Sequence, residues 1–88
     1  MPELCRFLGI IIHMYFNDTK QHHKPHFHAE YADYKAVIGI DGEILSGEIP
    51  SKQLKIIQAW CVIHEEELYK AWNNAVQNKH FDKIKPLN

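Results

Sequence analysis

The chain has 88 residues, of which 45% are hydrophobic and 24% are charged, and its formal net charge is −1. This composition is that of an average soluble domain and excludes a disordered tail, a collagen-like repeat and a membrane protein. A chain of this length forms one hydrophobic core, so we expect a single domain over residues 1–88. The absence of a long apolar run, of a signal peptide and of a disulfide framework predicts a cytoplasmic protein with no membrane contact.

The charge is unevenly distributed along the chain. Residues 25–50 carry one basic and five acidic side chains, whereas the C-terminal part is mildly basic. This is far from the basic surface that marks a typical nucleic-acid-binding protein. The unusual feature of the composition is histidine, with seven residues in all and four of them between His22 and His28.

The N-terminal half predicts β-strands. Residues 6–16 are apolar on both alternating faces, which is typical of a strand covered on both faces. Residues 17–24 are polar and predict a loop that ends at Pro25. Residues 26–31 alternate strictly between apolar and polar, so we expect a second strand there.

Two turns are predicted after this second strand. A tight connection is expected near Ala32 and Asp33. Asp41-Gly42 predicts a two-residue type I′ turn, because Asp-Gly supplies the positive φ that both central positions require. This turn would join strands at residues 34–40 and 43–49 in a hairpin.

The C-terminal half predicts a helix. Ser51 stands where an N-cap belongs, and residues 52–77 contain no glycine or proline and repeat apolar residues at steps of three and four. One long helix is expected, with a bend near residues 64–67, and therefore two helices, as the alternative. The predicted fold class is α+β: a small, mostly antiparallel sheet of about four strands with the long C-terminal helix packed on one face.

The histidines between residues 22 and 28 are the first candidates for chemistry. On an extended segment His26 and His28 project to the same side, and the preceding loop could return His22 or His23 toward them. Three imidazoles with one open position are typical of a hydrolytic zinc site. We therefore predict His22, His26 and His28 as metal ligands with zinc as the cofactor, and Glu30 as a further ligand or a base.

The same histidines support a second, metal-free interpretation. Two imidazoles can act as general acid and general base at neutral pH, so His26 and His28 are predicted catalytic residues. His13 is a third, because a strand pairing could bring it near His28. Lys24 or Arg6 would neutralise the developing charge of a phosphate. A third interpretation treats the histidines as the polar face of an edge strand.

Other side chains indicate contact surfaces. Lys79, Lys83 and Lys85 form a basic cluster that could contact RNA phosphates. Of Trp60 and Trp72, one is expected in the core and the other on an interaction surface. A homo-oligomer is also compatible with the sequence. Cys5 and Cys61 are not expected to be activated nucleophiles.

The chain resembles the bacterial domain of unknown function 4160 family. The resemblance runs almost from end to end and is most specific in Pro25-His26-Phe27-His28-Ala29, with His22 at a position where members often have histidine. It is also carried by Arg6 to Ile10, Met14 to Asp18, Tyr34 to Ile38, Trp60, His64 to Leu68 and Trp72. The resemblance implies no reaction, but it implies a small partner protein from a neighbouring gene, as in a toxin-antitoxin-like pair, and an RNA-directed activity.

Three functions therefore follow from the sequence and the resemblance. The leading one is a component of a toxin-antitoxin-like pair that acts through a partner protein. The second is a histidine-centred phosphodiester hydrolase or ribonuclease, either metal-free or zinc-dependent, and the third is a metal-binding domain. Whether the protein is an enzyme is left open at this point.

Overall fold

The computed structural model describes residues 3–14 and 24–87. Within these ranges, five strands form one antiparallel sheet in chain order and two helices follow. The strands are β1 (Glu3–Phe7), β2 (Ile10–His13), β3 (His26–Tyr31), β4 (Tyr34–Gly39) and β5 (Ile44–Gly47), and the helices are α1 (Ser51–Ile63) and α2 (Glu65–Val76). The predicted α+β class and the antiparallel sheet in chain order are confirmed. The prediction of four strands and one long helix is wrong, because the described residues form five strands and two helices.

The additional strand arises because the predicted first strand contains a turn. Leu8 and Gly9 have φ values of 50° and 80°, and β1 and β2 pair on either side of them with Phe7 opposite Ile10. Positive φ at both central residues is what a two-residue hairpin turn demands. The turn was not predicted because its first central residue is Leu8, where asparagine or aspartate is usual. The expectation of a strand covered on both faces is also wrong, since Ile11 and His13 are only partly buried.

The two later hairpins are confirmed. β3 has the predicted bounds, and the chain turns at Ala32 and Asp33. At the third hairpin the Gly42 amide donates to the Gly39 carbonyl, and the Gly39 amide donates to the Glu43 carbonyl. Gly42 has a positive φ but Asp41 does not. The turn is therefore a three-residue loop with glycine at the left-handed position, not the predicted type I′ turn.

The sheet has an inner face that packs on α1. The buried side chains of Phe7, Ile10, Ile12, Phe27 and Ile38 belong to this face. The Trp60 ring of α1 lies 5.5 Å from the Phe7 ring and 5.8 Å from the Phe27 ring. The alternate residues of the strands form the outer face, whose side chains are mostly polar.

The helical region contains the bend that the alternative prediction placed near residues 64–67. His64 has φ −113° and ψ 26°, and it separates α1 from α2. The prediction of Ser51 as the N-cap is wrong: Pro50 has the extended conformation of the cap, and no side chain caps the helix. The Pro50 carbonyl accepts the first bond, from the Leu54 amide.

Both tryptophans are buried, with 0% of Trp60 and 7% of Trp72 exposed, so the prediction that one marks a surface is wrong. The reason is that the C-terminal segment folds back over the core. The Trp60 Nε1–H donates to the Lys85 carbonyl at 2.9 Å, and the Ile84 amide donates to the Leu4 carbonyl of β1. Neither helix is long and apolar enough to span a membrane in the part of the chain that the structure describes.

Candidate functional site

A groove of about 240 Å³ lies on the outer face of the sheet. It is lined by His13, His28, Ala29, Glu30, Lys35, Ala36, Val37, Ser46 and Gly47. We call it the outer-face groove. The polar side chains among these residues come from four neighbouring strands, β2 to β5.

Strand register brings these side chains together. His13 of β2 is opposite His28 of β3, and Val37 of β4 is opposite His28 on the other side. Residues directly opposite each other in an antiparallel pair point to the same face, with Cβ atoms about 4.5–5.5 Å apart. The predicted pairing that would bring His13 near His28 is therefore present.

Glu30 is held at both of its carboxylate oxygens. The His13 Nε2 lies 3.2 Å from Glu30 Oε2, and the Lys35 Nζ lies 3.6 Å from Glu30 Oε1. Because a carboxylate only accepts hydrogen bonds, the His13 Nε2–H is the donor. The side chains of His13, Glu30 and Lys35 are 15%, 34% and 79% exposed, so the trio runs from the protein interior to solvent.

The second ring nitrogen of His13 is buried. Within the described residues, His13 Nδ1 has no hydrogen-bond partner. With Nε2–H directed at Glu30, Nδ1 carries a lone pair in the neutral ring. His13 therefore orients the Glu30 carboxylate. The catalytic role predicted for His13 stays a prediction.

His26 and His28 lie on the same side of β3, with ring centroids 5.5 Å apart. His26 is fully buried, and its ring centroid lies 5.0 Å from that of Trp72. The His26 Nδ1–H donates to the Lys24 carbonyl at 2.8 Å. His28 lines the groove and His26 does not, so burial favours a supporting role for His26 beside His28. The catalytic role predicted for His26 stays a prediction.

The zinc site predicted at His22, His26 and His28 also stays a prediction. His22 lies outside the described residues. Among residues 3–14 and 24–87, no group of three histidine, cysteine, aspartate or glutamate side chains is placed to hold a metal ion. The His26 Nδ1–H donates to the Lys24 carbonyl, so Nδ1 is not available to a metal.

The two cations predicted to contact a phosphate are engaged elsewhere. Lys24 Nζ lies 2.7 Å from Asp41 Oδ2 and 3.3 Å from Glu43 Oε1, and the hydrogen bond to Asp41 is the main cause that raises the pKa of Lys24. Arg6 pairs with Glu3 at 2.7 Å, which raises the pKa of Arg6 in the same way. Neither cation lines the outer-face groove.

Sequence reasoning missed Lys35, which is the cation that lines the groove. A signal for it was present in the sequence. A two-residue turn at Ala32 and Asp33 pairs Tyr31 with Tyr34 and therefore Glu30 with Lys35, which is the observed register. Ser46 was also missed, because its place on the groove depends on the irregular pairing of β4 with β5.

The two cysteines are not candidates for nucleophilic chemistry. Both are buried, and burial raises the pKa of the Cys61 thiol to about 12 and raises that of Cys5 as well. A thiol of raised pKa remains protonated and unreactive at neutral pH.

One comparison with known proteins found a match. A family model described as Domain of unknown function (DUF4160) matches residues 9–73, a span that includes every residue lining the outer-face groove. No curated protein and no solved structure matches the chain.

Proposed function

Because this chain belongs to the family described as Domain of unknown function (DUF4160), which names no reaction, we propose a function from the geometry of the chain itself. The outer-face groove is an acid–base site that cleaves phosphodiesters. The observation that carries this proposal is the Glu30 carboxylate, held between His13 and Lys35 on the same strand face as His28.

Glu30 and His28 are suited to work as a pair. They are alternate residues of β3, so their Cβ atoms lie about 7 Å apart at 3.3–3.4 Å per residue. This spacing leaves room for a reacting group that hydrogen-bonds to both side chains at about 2.6–3.2 Å. One of the two accepts a proton from the attacking hydroxyl, and the other donates one to the leaving oxygen.

Lys35 supplies the positive charge. Its Nζ is on the solvent side of the groove, and its 3.6 Å contact with Glu30 is that of an exposed ion pair. Such pairs contribute only about 0–1 kcal/mol, so a bound phosphate competes easily for the ammonium group. The ammonium then stabilises the negative charge that develops on the phosphoryl oxygens.

The proposal is tested by phosphodiester cleavage with purified, tag-free protein. We expect cleavage of RNA with a bell-shaped pH profile, and a rate at least about 100-fold lower in His28→Asn. His80→Asn is the matched control, because the His80 side chain is 87% exposed and lies outside the groove. No cleavage by clean protein, with or without added metal, would rule out this function.

A second candidate function, a component of a toxin-antitoxin-like pair that acts through a partner protein, is favoured by α1. Val62 and Ile63 are 75% and 62% exposed, the most exposed of the large apolar side chains in the described part of the chain. Ala59, one turn earlier, is also exposed. All residues of α1 from Ala59 to Ile63 are apolar, and an exposed apolar patch of this kind commonly marks a protein–protein contact. We infer that a small partner protein from a neighbouring gene covers this stretch of α1.

Co-expression tests the partner function. Growth should slow when the protein is expressed alone and recover when the neighbouring gene is expressed with it. The variant Val62→Ser/Ile63→Ser should weaken the recovery, whereas Lys52→Ser, at an exposed position at the start of α1, should not. Growth that is unaffected in both expression experiments would contradict the toxin-antitoxin-like role.

A further inference from the structure

We propose that the substrate of the outer-face groove is RNA whose own 2′-hydroxyl attacks the neighbouring phosphodiester. The reaction is then a transesterification, and its products are a 2′,3′-cyclic phosphate and a 5′-hydroxyl. The inference rests on the proposed acid–base function and adds the nucleophile, the substrate class and the chemical form of the products.

The described residues of the groove provide proton transfer and charge but no activated nucleophile. Among the described residues that line it, Ser46 is the only one with a hydroxyl group. It is opposite Val37, which in turn is opposite His28, so two strand spacings of about 4.8 Å separate Ser46 from His28. A serine nucleophile must lie within hydrogen-bond reach of its base, and this separation is too large.

With no such nucleophile among the described lining residues, the attack is assigned to a hydroxyl of the substrate. A hydroxyl held next to the reacting centre within one molecule reaches effective molarities of about 10⁵–10⁸ M, far above the concentration of any solvent. In RNA the 2′-hydroxyl is adjacent to the scissile phosphate, whereas DNA lacks it. The groove supplies one ammonium group, from Lys35, and two proton-transfer groups, Glu30 and His28. These are the groups that a substrate needs when it carries its own nucleophile.

The proton transfers balance in a single displacement. Glu30 removes the proton of the 2′-hydroxyl as the bond from O2′ to phosphorus forms. His28, in its protonated form, donates a proton to O5′ as the bond from phosphorus to O5′ breaks. Lys35 neutralises the phosphoryl oxygens in between. Proton exchange with water then returns Glu30 and His28 to their starting forms, so no co-reactant is consumed.

The experiment compares a random-sequence RNA oligonucleotide pool with the same pool made of DNA, and identifies the product ends by mass spectrometry. RNA should be cleaved to 2′,3′-cyclic phosphates, which are lighter than linear phosphates by one water molecule, and DNA should be left intact. Glu30→Gln should lower the initial rate at least about 100-fold, and Lys35→Met at least about 10-fold. Glu66→Gln and Lys52→Met, at exposed positions on α2 and α1, are the matched controls.

The failures of the two proposals are distinguishable. Cleavage of DNA at the rate of RNA, or RNA fragments ending in a 3′-hydroxyl, would overturn attack by the 2′-hydroxyl and leave the groove as a phosphodiester site. Cleavage of neither pool would remove both proposals. Circular dichroism of each variant must match the unsubstituted protein, so that a lost rate reports chemistry and not unfolding.

Discussion

His13 connects the stability of the sheet to the chemistry proposed for the groove. Its Nε2–H donates to Glu30 at 3.2 Å, and its Nδ1 is buried with no partner among the described residues. A buried polar atom without a partner costs about 1–3 kcal/mol, whereas an average hydrogen bond contributes about 0.5–1.5 kcal/mol. The buried Nδ1 of His13 therefore opposes folding, while its Nε2–H holds Glu30 in place.

Replacing this histidine should separate the two effects. His13→Phe keeps a ring in the sheet and removes the buried nitrogen, so we expect the free energy of unfolding to rise by about 1 kcal/mol. The rate of RNA cleavage should fall about 10-fold, because Glu30 loses one of its two fixing contacts. Chemical denaturation and initial rates measure the two quantities. A loss of stability in His13→Phe, with His80→Phe unchanged, would mean that Nδ1 has a partner after all.

Cys61 makes the folded state sensitive to alkaline pH. Burial raises the pKa of its thiol to about 12, whereas the thiol of an unfolded chain titrates near 8.5. Above about pH 8.5 the unfolded state loses this proton while the folded state retains it, so stability is fully present below that pH and is lost as pH rises toward 12. The loss from one proton is at most about 1.4 kcal/mol per pH unit.

This alkaline loss can be measured by denaturant unfolding at a series of pH values. Lysine and tyrosine titrate in the same range, so the comparison is with Cys61→Ala. The variant should be less stable at neutral pH because of the cavity, but its stability should fall less steeply above pH 8.5. If stability fell equally steeply with pH in Cys61→Ala and in the unsubstituted protein, the alkaline loss would not come from the Cys61 thiol.

At the scale of elements, the β4–β5 hairpin shapes the groove. Gly47 has φ +78°, and a Cβ atom placed there would overlap the carbonyl oxygen of Lys35 on the neighbouring strand. The same Lys35 carbonyl oxygen accepts a hydrogen bond from the Glu48 amide at 3.0 Å. Gly47 is thus required both for its left-handed conformation and for the close approach of β5 to β4.

Gly47→Ala should therefore lower the free energy of unfolding by about 3 kcal/mol, the sum of left-handed strain and overpacking. Urea denaturation provides the measurement. Ser46→Ala, at the exposed residue before it, should change stability by less than about 0.5 kcal/mol and is the matched control. If Gly47→Ala left the free energy of unfolding unchanged, β5 would be able to move away from Lys35 without loss of stability.

At the scale of the whole molecule, the C-terminal segment completes the core. Ile84 is 5% exposed, its amide donates to Leu4 at the outer edge of β1, and the Lys85 carbonyl accepts from Trp60. The β1 edge, which would otherwise present unpaired backbone groups, is partly satisfied by this contact. Residues about eighty positions apart in the sequence therefore stabilise each other.

Ile84→Ala tests this closure. We expect a loss of about 3 kcal/mol in the free energy of unfolding, because a buried isoleucine is removed from the core. Lys83→Ala, at the exposed position before it, should have little effect in the same thermal or urea denaturation. An unchanged stability in Ile84→Ala would show that the segment is not part of the cooperative unit.

The zinc interpretation of His22, His26 and His28 has its own test. A preformed site would hold about one zinc per chain through dialysis of tag-free protein, with the metal lost in the triple alanine variant, and added zinc would raise the melting temperature. Elemental analysis and thermal denaturation measure both. A metal-free protein without a thermal response to zinc would leave His28 to the acid–base role.

Much of the fold could be predicted because the signals are local. The strict alternation of residues 26–31 determined β3 and the faces on which His28 and Glu30 lie. The turn at Ala32 and Asp33 determined the β3–β4 pairing, and with it the contact between Glu30 and Lys35. The Leu8–Gly9 turn escaped prediction because its conformation depends on the pairing of β1 with β2 and not on the usual turn residues.

Local sequence patterns therefore specify the α+β class and the polar face of β3. The contact between His13 and Glu30 could not be predicted in this way, because the register of β2 against β3 depends on contacts between residues that are distant in the chain. Nor could it be predicted that His26 is buried against Trp72 while His28 faces the groove, since alternation places both on one side of the strand. Periodicity specifies which side a residue takes, whereas the packing of α2 decides whether that side is open to solvent.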